Sequence, residues 1–192
     1  MQILTRDSER ALIQDILNGS NQAFETLIKQ HERLVAHMVY RLIDNVEDRN
    51  DLCQDVFIKV YQALPRFRFD CKLSTWIAKI AYRTALNALE KKRAVLYTDA
   101  SGGAGLDTLP GTLPGPEMAL EQSTLQTQLE SAMLKLDEKY RLPLTLFHLE
   151  HMSYTEIGKI MGLPGGTVKS HLFRARKQLK EMLLTEYAGE LQ

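Results

Sequence analysis

Residues 153–180 read SYTEIGKIMGLPGGTVKSHLFRARKQLK. Ser153 can cap a short helix running from Tyr154 to Met161. Gly158 is small where a second helix must cross closely, and Gly162 permits the turn four residues later. Leu163 and Val168 supply apolar contacts that fix the crossing. Thr167 stands at the start of the second helix, where its hydroxyl can cap the helix or meet a phosphate. With Val168 and Leu172 assigned to the core, Lys169, Ser170, His171, Phe173 and Arg174 project outward. This spacing predicts a helix-turn-helix whose second helix enters a major groove. Short helix pairs with glycine turns also occur without nucleic acid; the basic second helix favours DNA here.

Outward from that motif, the chain sorts into three zones. Residues 7–93 contain helix formers with Gly19 and Pro65 as the only Gly and Pro. Residues 98–117 hold five Gly, three Pro and no Lys or Arg. Residues 118–187 return to helical patterning. The middle zone buries too little apolar surface to offset its ordering entropy, which makes it a linker. A flexible chain of that length spans roughly 25 Å. The expected fold is therefore all-α, with two small helical domains at 7–93 and 118–187 joined by a flexible acidic Gly/Pro linker at 94–117.

Four helices are expected in the first domain. Asp7 can cap the first, and Asn18-Gly19 closes it. The second carries Phe24, Leu27, Ile28, Leu34, Val35, Met38 and Leu42 on one face at helical period. The third, about 50–64, repeats Leu52, Val56, Val60 and Leu64 and stops at Pro65. The fourth, about 74–92, takes Ser74 or Thr75 as cap and turns Trp76, Ile77, Ile80, Ala81, Ala85 and Leu89 inward. The second domain is expected to hold helices near 117–136, 138–149, 153–161 and 165–186.

Charge is sorted along the chain although Lys+Arg and Asp+Glu both number 24. Window 44–55 carries a net −4, and window 98–138 a net −6. Window 66–93 carries +6 and window 169–180 carries +5, so each domain has one basic stretch. One such run is commonly a solvated helix face; two in a neutral chain point to phosphate-facing surfaces.

Several classes are disfavoured. Cys53 and Cys71 are too few for a disulfide framework, and the simplest reading is two reduced thiols in a cytoplasmic protein. The first residues form no signal peptide, and no apolar run reaches membrane-spanning length. No phosphate loop, metal cluster or nucleophile elbow occurs, so neither enzyme, cofactor nor metal is expected. His148 and His151, three apart, read as a polar helix edge.

Gly166-Thr167-Val168-Lys169-Ser170 and Arg174-Ala175-Arg176, after Tyr154-Thr155-Glu156-Ile157, resemble region 4 of the extracytoplasmic-function sigma factors. Asp51-Leu52-Cys53-Gln54-Asp55-Val56-Phe57 is similar to that family's region 2, and Phe67-Arg68 with Ser74-Thr75-Trp76-Ile77 and Ile80-Ala81 resembles its promoter-melting segment. The resemblance covers roughly 10–93 and 117–183. It implies a factor that binds core RNA polymerase and directs promoter recognition, melting and initiation.

By resemblance, Lys169, Ser170, His171, Phe173 and Arg174 would face the −35 element, with Arg176 on a phosphate; Thr167 joins the DNA-binding set from its place at the helix start. His171 stands where the family often has Arg, so the bidentate fork is lost there. Arg68, Lys72, Lys79, Arg83 and Asn87 would meet the −10 element. Arg83 stands where the family frequently has Asn, so the identity of the flipped −10 base stays open, with a phosphate contact in place of a base contact as the alternative. Asp51, Gln54, Asp55, Ile58 and Tyr61 would dock on the clamp helices of the β′ subunit, with Phe57 in the core. Leu142, Leu146 and Phe147 are candidates for the β flap, with ordinary core packing as the alternative, and an anti-sigma factor is a further partner the family implies. The rival class is a classical DNA-binding regulator, which would bind duplex DNA without polymerase, usually as a dimer.

Overall fold

A computed structural model describes the backbone of residues 6–99 and 124–190, with side chains over 6–92, 129 and 131–185. The chain divides into two compact units, each carrying four α-helices among the described residues. Every regular element among the described residues is helical. The predicted linker core and the start of the predicted helix 117–136 lie outside those residues.

In the first unit, α1 spans Arg6–Leu17, α2 Asn21–Tyr40, α3 Val46–Ala63 and α4 Leu73–Asp99. Gly19, at φ +92°, turns the chain between α1 and α2. Ser20 then caps α2 by accepting from the Ala23 N–H at 3.2 Å. Asn45 caps α3 through the Asp48 N–H at 3.0 Å, so α3 begins earlier than apolar spacing indicates. Pro65 ends α3 as expected, opening a single 3-10 turn at Leu64–Arg66.

The core forms where α2, α3 and α4 pack on one another, with α1 lying on α2. Leu27, Val35, Met38 and Val39 of α2 meet Val56 and Val60 of α3 and Leu73 and Ile77 of α4, all fully buried. Burying each such side chain contributes about 1.5–3 kcal/mol. Ala78, Ala81 and Ala85 line the inner face of α4, where small side chains let another backbone approach closely. Phe57 is 9% exposed and belongs to this core, as expected.

Some terminal expectations are corrected. Asp7 lies inside the first turn of α1, where a carboxylate favours the helix dipole without being the cap. Ser74 and Thr75 also lie inside a helix, because α4 already begins at Leu73 and the Trp76 N–H bonds the Lys72 carbonyl at 3.1 Å. The same helix runs to Asp99 rather than stopping near 92, since no Gly or Pro occurs before Gly102.

In the second unit, α5 spans Thr124–Lys135, α6 Glu138–His148, α7 Tyr154–Met161 and α8 Gly165–Glu190. α8 is the hub, packing against α5, α6 and α7. Its Val168, Leu172 and Ala175 are fully buried, together with Leu142 and Leu146 of α6 and Ile157 of α7. For Leu142 and Leu146 the core alternative holds, so they form no docking surface, and of the three flap candidates half-buried Phe147 reaches outward.

Candidate nucleic-acid and polymerase interfaces

The helix-turn-helix is built as its sequence predicts. Ser153 and Glu156 form a reciprocal capping box on α7, with the Ser153 N–H donating to Glu156 at 2.8 Å and the Glu156 N–H to Ser153 at 3.3 Å. Gly162 ends α7 in the left-handed region at φ +69°. A Cβ on Gly158 would stand 2.6 Å from the Leu163 carbonyl oxygen and 3.8 Å from Cγ2 of Val168. The closest constraint on Gly158 is thus the turn itself, with the second helix next. Thr167 sits in the first turn of α8 rather than at its cap; its N–H and that of Val168 both bond the Pro164 carbonyl.

Along α8 the positions 168, 172 and 175 face inward, leaving a broad polar face. Lys169, Ser170, Phe173, Arg174 and Arg176 are exposed there, and Phe173 is 69% exposed despite its apolar ring. The Ser170 hydroxyl donates to the Gly166 carbonyl at 3.0 Å, leaving its lone pairs outward. Thr167 is half-buried.

His171 departs from the predicted set. Its ring packs edge-on against Tyr140 of α6 at 5.4 Å, and its Nδ1 is buried with no hydrogen-bond partner. The reason is angular: three residues from Val168 and one from Leu172, it flanks the buried stripe. His171 leans toward α6, and the outward face belongs to Lys169, Phe173 and Arg174.

Arg176 is oriented by α6. Its Nε donates to Nε2 of His148 at 3.3 Å, and its guanidinium lies 5.1 Å from the Phe147 ring. Burial, then the Arg176 charge, then His151 hold the His148 pKa below its ordinary value, so the neutral acceptor form is favoured. Nothing in the sequence links positions 28 residues apart, so His148 escapes spacing-based reading.

In the first unit, Lys72, Lys79, Arg83 and Asn87 fall on one stripe at seven, four and four residues. Lys72, Arg83 and Asn87 are exposed and Lys79 is half-buried. Trp76 falls on the same stripe, half-buried against Phe67 at 5.0 Å. Phe67 in turn packs on Phe69 at 4.6 Å. Arg68, between those two aromatics, is exposed. Phe69 adopts φ +59°, a left-handed backbone that costs a non-glycine residue about 1–2 kcal/mol.

A different surface occupies α3. Asp51, Gln54, Asp55, Ile58 and Tyr61 are all exposed, and their spacing of three and four places them on one helix face. Ile58 is 53% exposed and Tyr61 50%. The Tyr61 ring meets Phe24 edge-on at 4.9 Å, which holds it upright. Arg49, the sole base in the acidic window, is 3% exposed; its Nε donates to the Ile43 carbonyl at 2.7 Å and its guanidinium covers Tyr40. Asp44, Glu47, Asp48, Asp51 and Asp55 are all exposed, so the acidic surface presents its carboxylates with their basic neighbour turned inward. Lys92 pairs with Asp48 at 3.4 Å on the exposed surface, a bond worth at most about 1 kcal/mol.

Among the described residues no helix is long and apolar enough to cross a membrane, and no cluster of His, Cys, Asp or Glu is arranged to hold a metal. Burial raises the Cys53 thiol pKa to about 11.

Comparison with known proteins gives consistent matches. Residues 27–95 match the family "Sigma-70 region 2" and residues 126–179 match "Sigma-70, region 4". Over 178 residues the chain is 31% identical to the ECF RNA polymerase sigma factor SigW of Bacillus subtilis, covering 89% of this chain and 94% of the relative. It is 32% identical over 182 residues to the ECF RNA polymerase sigma-E factor of Escherichia coli K12, covering 90% and 92%. It is 30% identical over 187 residues to the RNA polymerase sigma-H factor of Pseudomonas aeruginosa, covering 94% and 96%. Two solved structures share the fold. One is the sigma factor RpoE in complex with the anti-sigma factor NepR from Bartonella quintana, at TM-score 0.67 and 22% identity over 83% of this chain and 96% of that one. The other is CnrH in complex with the cytosolic domain of CnrY, at TM-score 0.64 and 22% identity over 92% and 97%.

Proposed function

This chain belongs to the extracytoplasmic-function sigma factors of RNA polymerase, and from that premise we infer how its exposed surfaces divide the work of initiation. A sigma factor binds core polymerase, directs it to promoters and takes part in starting transcription. The chain is a regulatory initiation factor, and its work belongs in the cytoplasm with polymerase.

The observation that carries the residue-level reading is the separation of surfaces by chemistry. The α3 face joins exposed carboxylates to exposed Ile58 and Tyr61. Such a face fits a basic partner with an apolar patch, as the β′ clamp helices would provide. The α4 stripe and the loop before it join bases to aromatics. That combination suits a strand pulled from the duplex, with bases stacking on rings and phosphates meeting Arg68, Lys72, Lys79 and Arg83. Asn87 adds a polar contact for a base edge or sugar.

α8 supplies the −35 reading. Lys169 and Arg174 donate to guanine acceptors or phosphates, Phe173 covers a thymine methyl, and Ser170 offers a small polar contact. Thr167 meets a phosphate at the helix start, and Arg176 another. His171 contributes through Tyr140 to the setting of the helix. The β flap is met by the second unit through a surface other than Leu142 and Leu146. The neighbour solved in complex with an anti-sigma factor supports the proposal of an anti-sigma factor for this chain.

The decisive experiment is run-off transcription with core polymerase on genomic fragments. The expected result is discrete transcripts, absent from core alone, whose templates share two spaced elements. A DNA-binding regulator would instead footprint duplex DNA as a dimer without polymerase and give no transcripts in this assay.

A further inference from the structure

The family match for region 2 begins at residue 27, so α1 lies before it. α1 is nonetheless tied to the loop that leads into α4. Nη2 of Arg6 donates to the Phe69 carbonyl at 2.6 Å, bridging 63 positions of sequence. One turn later on the same face, the Arg10 guanidinium lies 5.3 Å from the centre of the Phe69 ring. The same ring also packs on Phe67, centroid to centroid at 4.6 Å. Between the two arginines stands half-buried Glu9. Burial raises its pKa, while the charges of Arg6 and then Lys72 pull it back, so Glu9 shares a local field with both the helix and the loop end.

Phe69 is held in a left-handed backbone that its own side chain disfavours. Such a conformation persists only where its surroundings over-determine it, and here the surroundings are α1 and Phe67. The carbonyl bond fixes the peptide after Phe69, and the stacked guanidinium fixes the ring. Together they set the path of Arg68 and Lys72, which flank Phe69 in the loop.

We propose that Arg6 and Arg10 of α1 are positioning residues for promoter opening, clamping Phe69 so that the loop 67–72 is preshaped to receive single-stranded DNA. This rests on the reading of that loop and α4 as the −10 surface. Neither arginine needs to touch DNA. A preshaped loop avoids the ordering cost that a floppy one would meet when the strand arrives.

The test uses the full chain assembled with core polymerase on a promoter recovered by run-off transcription. Two quantities are measured together: permanganate reactivity of −10 thymines, which reports opening, and DNase protection over −35, which reports closed binding. Their ratio is compared for wild type, Arg6→Ala/Arg10→Ala and Arg10→Lys. The alanine pair is expected to lower the ratio about tenfold, from the loss of one hydrogen bond and one cation–π contact. Arg10→Lys keeps a cation over the ring and is expected to recover most of it in an otherwise wild-type chain. A purely structural role for α1 would reduce active protein, lowering both signals equally and leaving the ratio unchanged. An unchanged ratio in the alanine pair overturns the proposal, even if the variant is less stable. Failure of the wild-type holoenzyme to initiate would instead defeat the sigma-factor reading on which the proposal rests.

Discussion

Arg176 and His148 meet nitrogen to nitrogen at 3.3 Å, a bond that exists only while the imidazole is neutral. Burial, Arg176 and His151 all lower the pKa of His148 below the ordinary 6.5. In the unfolded chain the ring titrates near the ordinary value, so between the two values the folded state binds fewer protons. The stabilisation is complete above 6.5 and is lost as pH falls from there through the folded value. NMR titration is expected to place the His148 midpoint below 6.5, with Arg176→Ala moving it upward. Replacing His148 by Gln should flatten the fall in melting temperature over the same pH range.

Gly158→Ala sets two effects against each other. Alanine gains about 1 kcal/mol of helix propensity over glycine. The new Cβ would stand 2.6 Å from the Leu163 carbonyl, and a backbone atom cannot swing aside as a side-chain tip can. Overpacking of this kind costs about 1–3 kcal/mol. The expected net is a loss of up to about 2 kcal/mol in the second unit. Thermal melting measures it, together with weaker binding to −35 duplex by holoenzyme.

Ile58→Ala is expected to leave folding stability within about 0.5 kcal/mol, because the side chain is half in solvent. Affinity for core polymerase is expected to fall by more than about 1 kcal/mol if Ile58 anchors the interface. Size-exclusion co-migration at graded concentration separates these outcomes. Asp55→Lys should weaken the same complex most at low salt, since the loss is electrostatic.

Phe173→Ala and Arg174→Ala should both spare the fold, as both side chains project from it. Each is expected to cost about 1–3 kcal/mol of discrimination at the base it contacts. Core binding stays constant. Footprints over −35 with base-substituted templates would assign each residue to its position, and an unchanged Arg174→Ala footprint would remove it from the interface.

Cys53, with a thiol pKa raised to about 11 by burial, is almost wholly protonated at neutral pH. Alkylation by iodoacetamide is expected to be slow in the folded chain and to accelerate on denaturation or at alkaline pH. Mass spectrometry after timed quenching reads the difference.

Much of this molecule is legible in its sequence because helical period and turn chemistry are local. The α2 stripe, the stop at Pro65, the Ser153 cap and the glycine turn need only neighbouring residues to be understood. The α3 set comes from the resemblance rather than from spacing; the structure shows its five residues exposed on one helix face. Contacts between distant segments were not legible. No spacing rule places Arg6 on the Phe69 carbonyl or Arg176 on His148. His171 is placed in the −35 set by resemblance, and its half-buried position beside the core, against Tyr140, follows from packing that no local spacing reveals. For Leu142 and Leu146 the sequence leaves docking surface and core both open, because apolar type alone cannot distinguish a docking patch from a buried one.

The uncovered Ile58 and Tyr61, set among carboxylates, govern how the isolated protein behaves in a tube. With a formal net charge of zero at pH 7, copies lack the mutual repulsion that keeps most proteins dispersed. Oily patches and oppositely charged faces on neighbouring molecules then attract. Precipitation during concentration should be worst in dilute buffer near neutrality, and moderate salt or a shift of pH should relieve the electrostatic share of it.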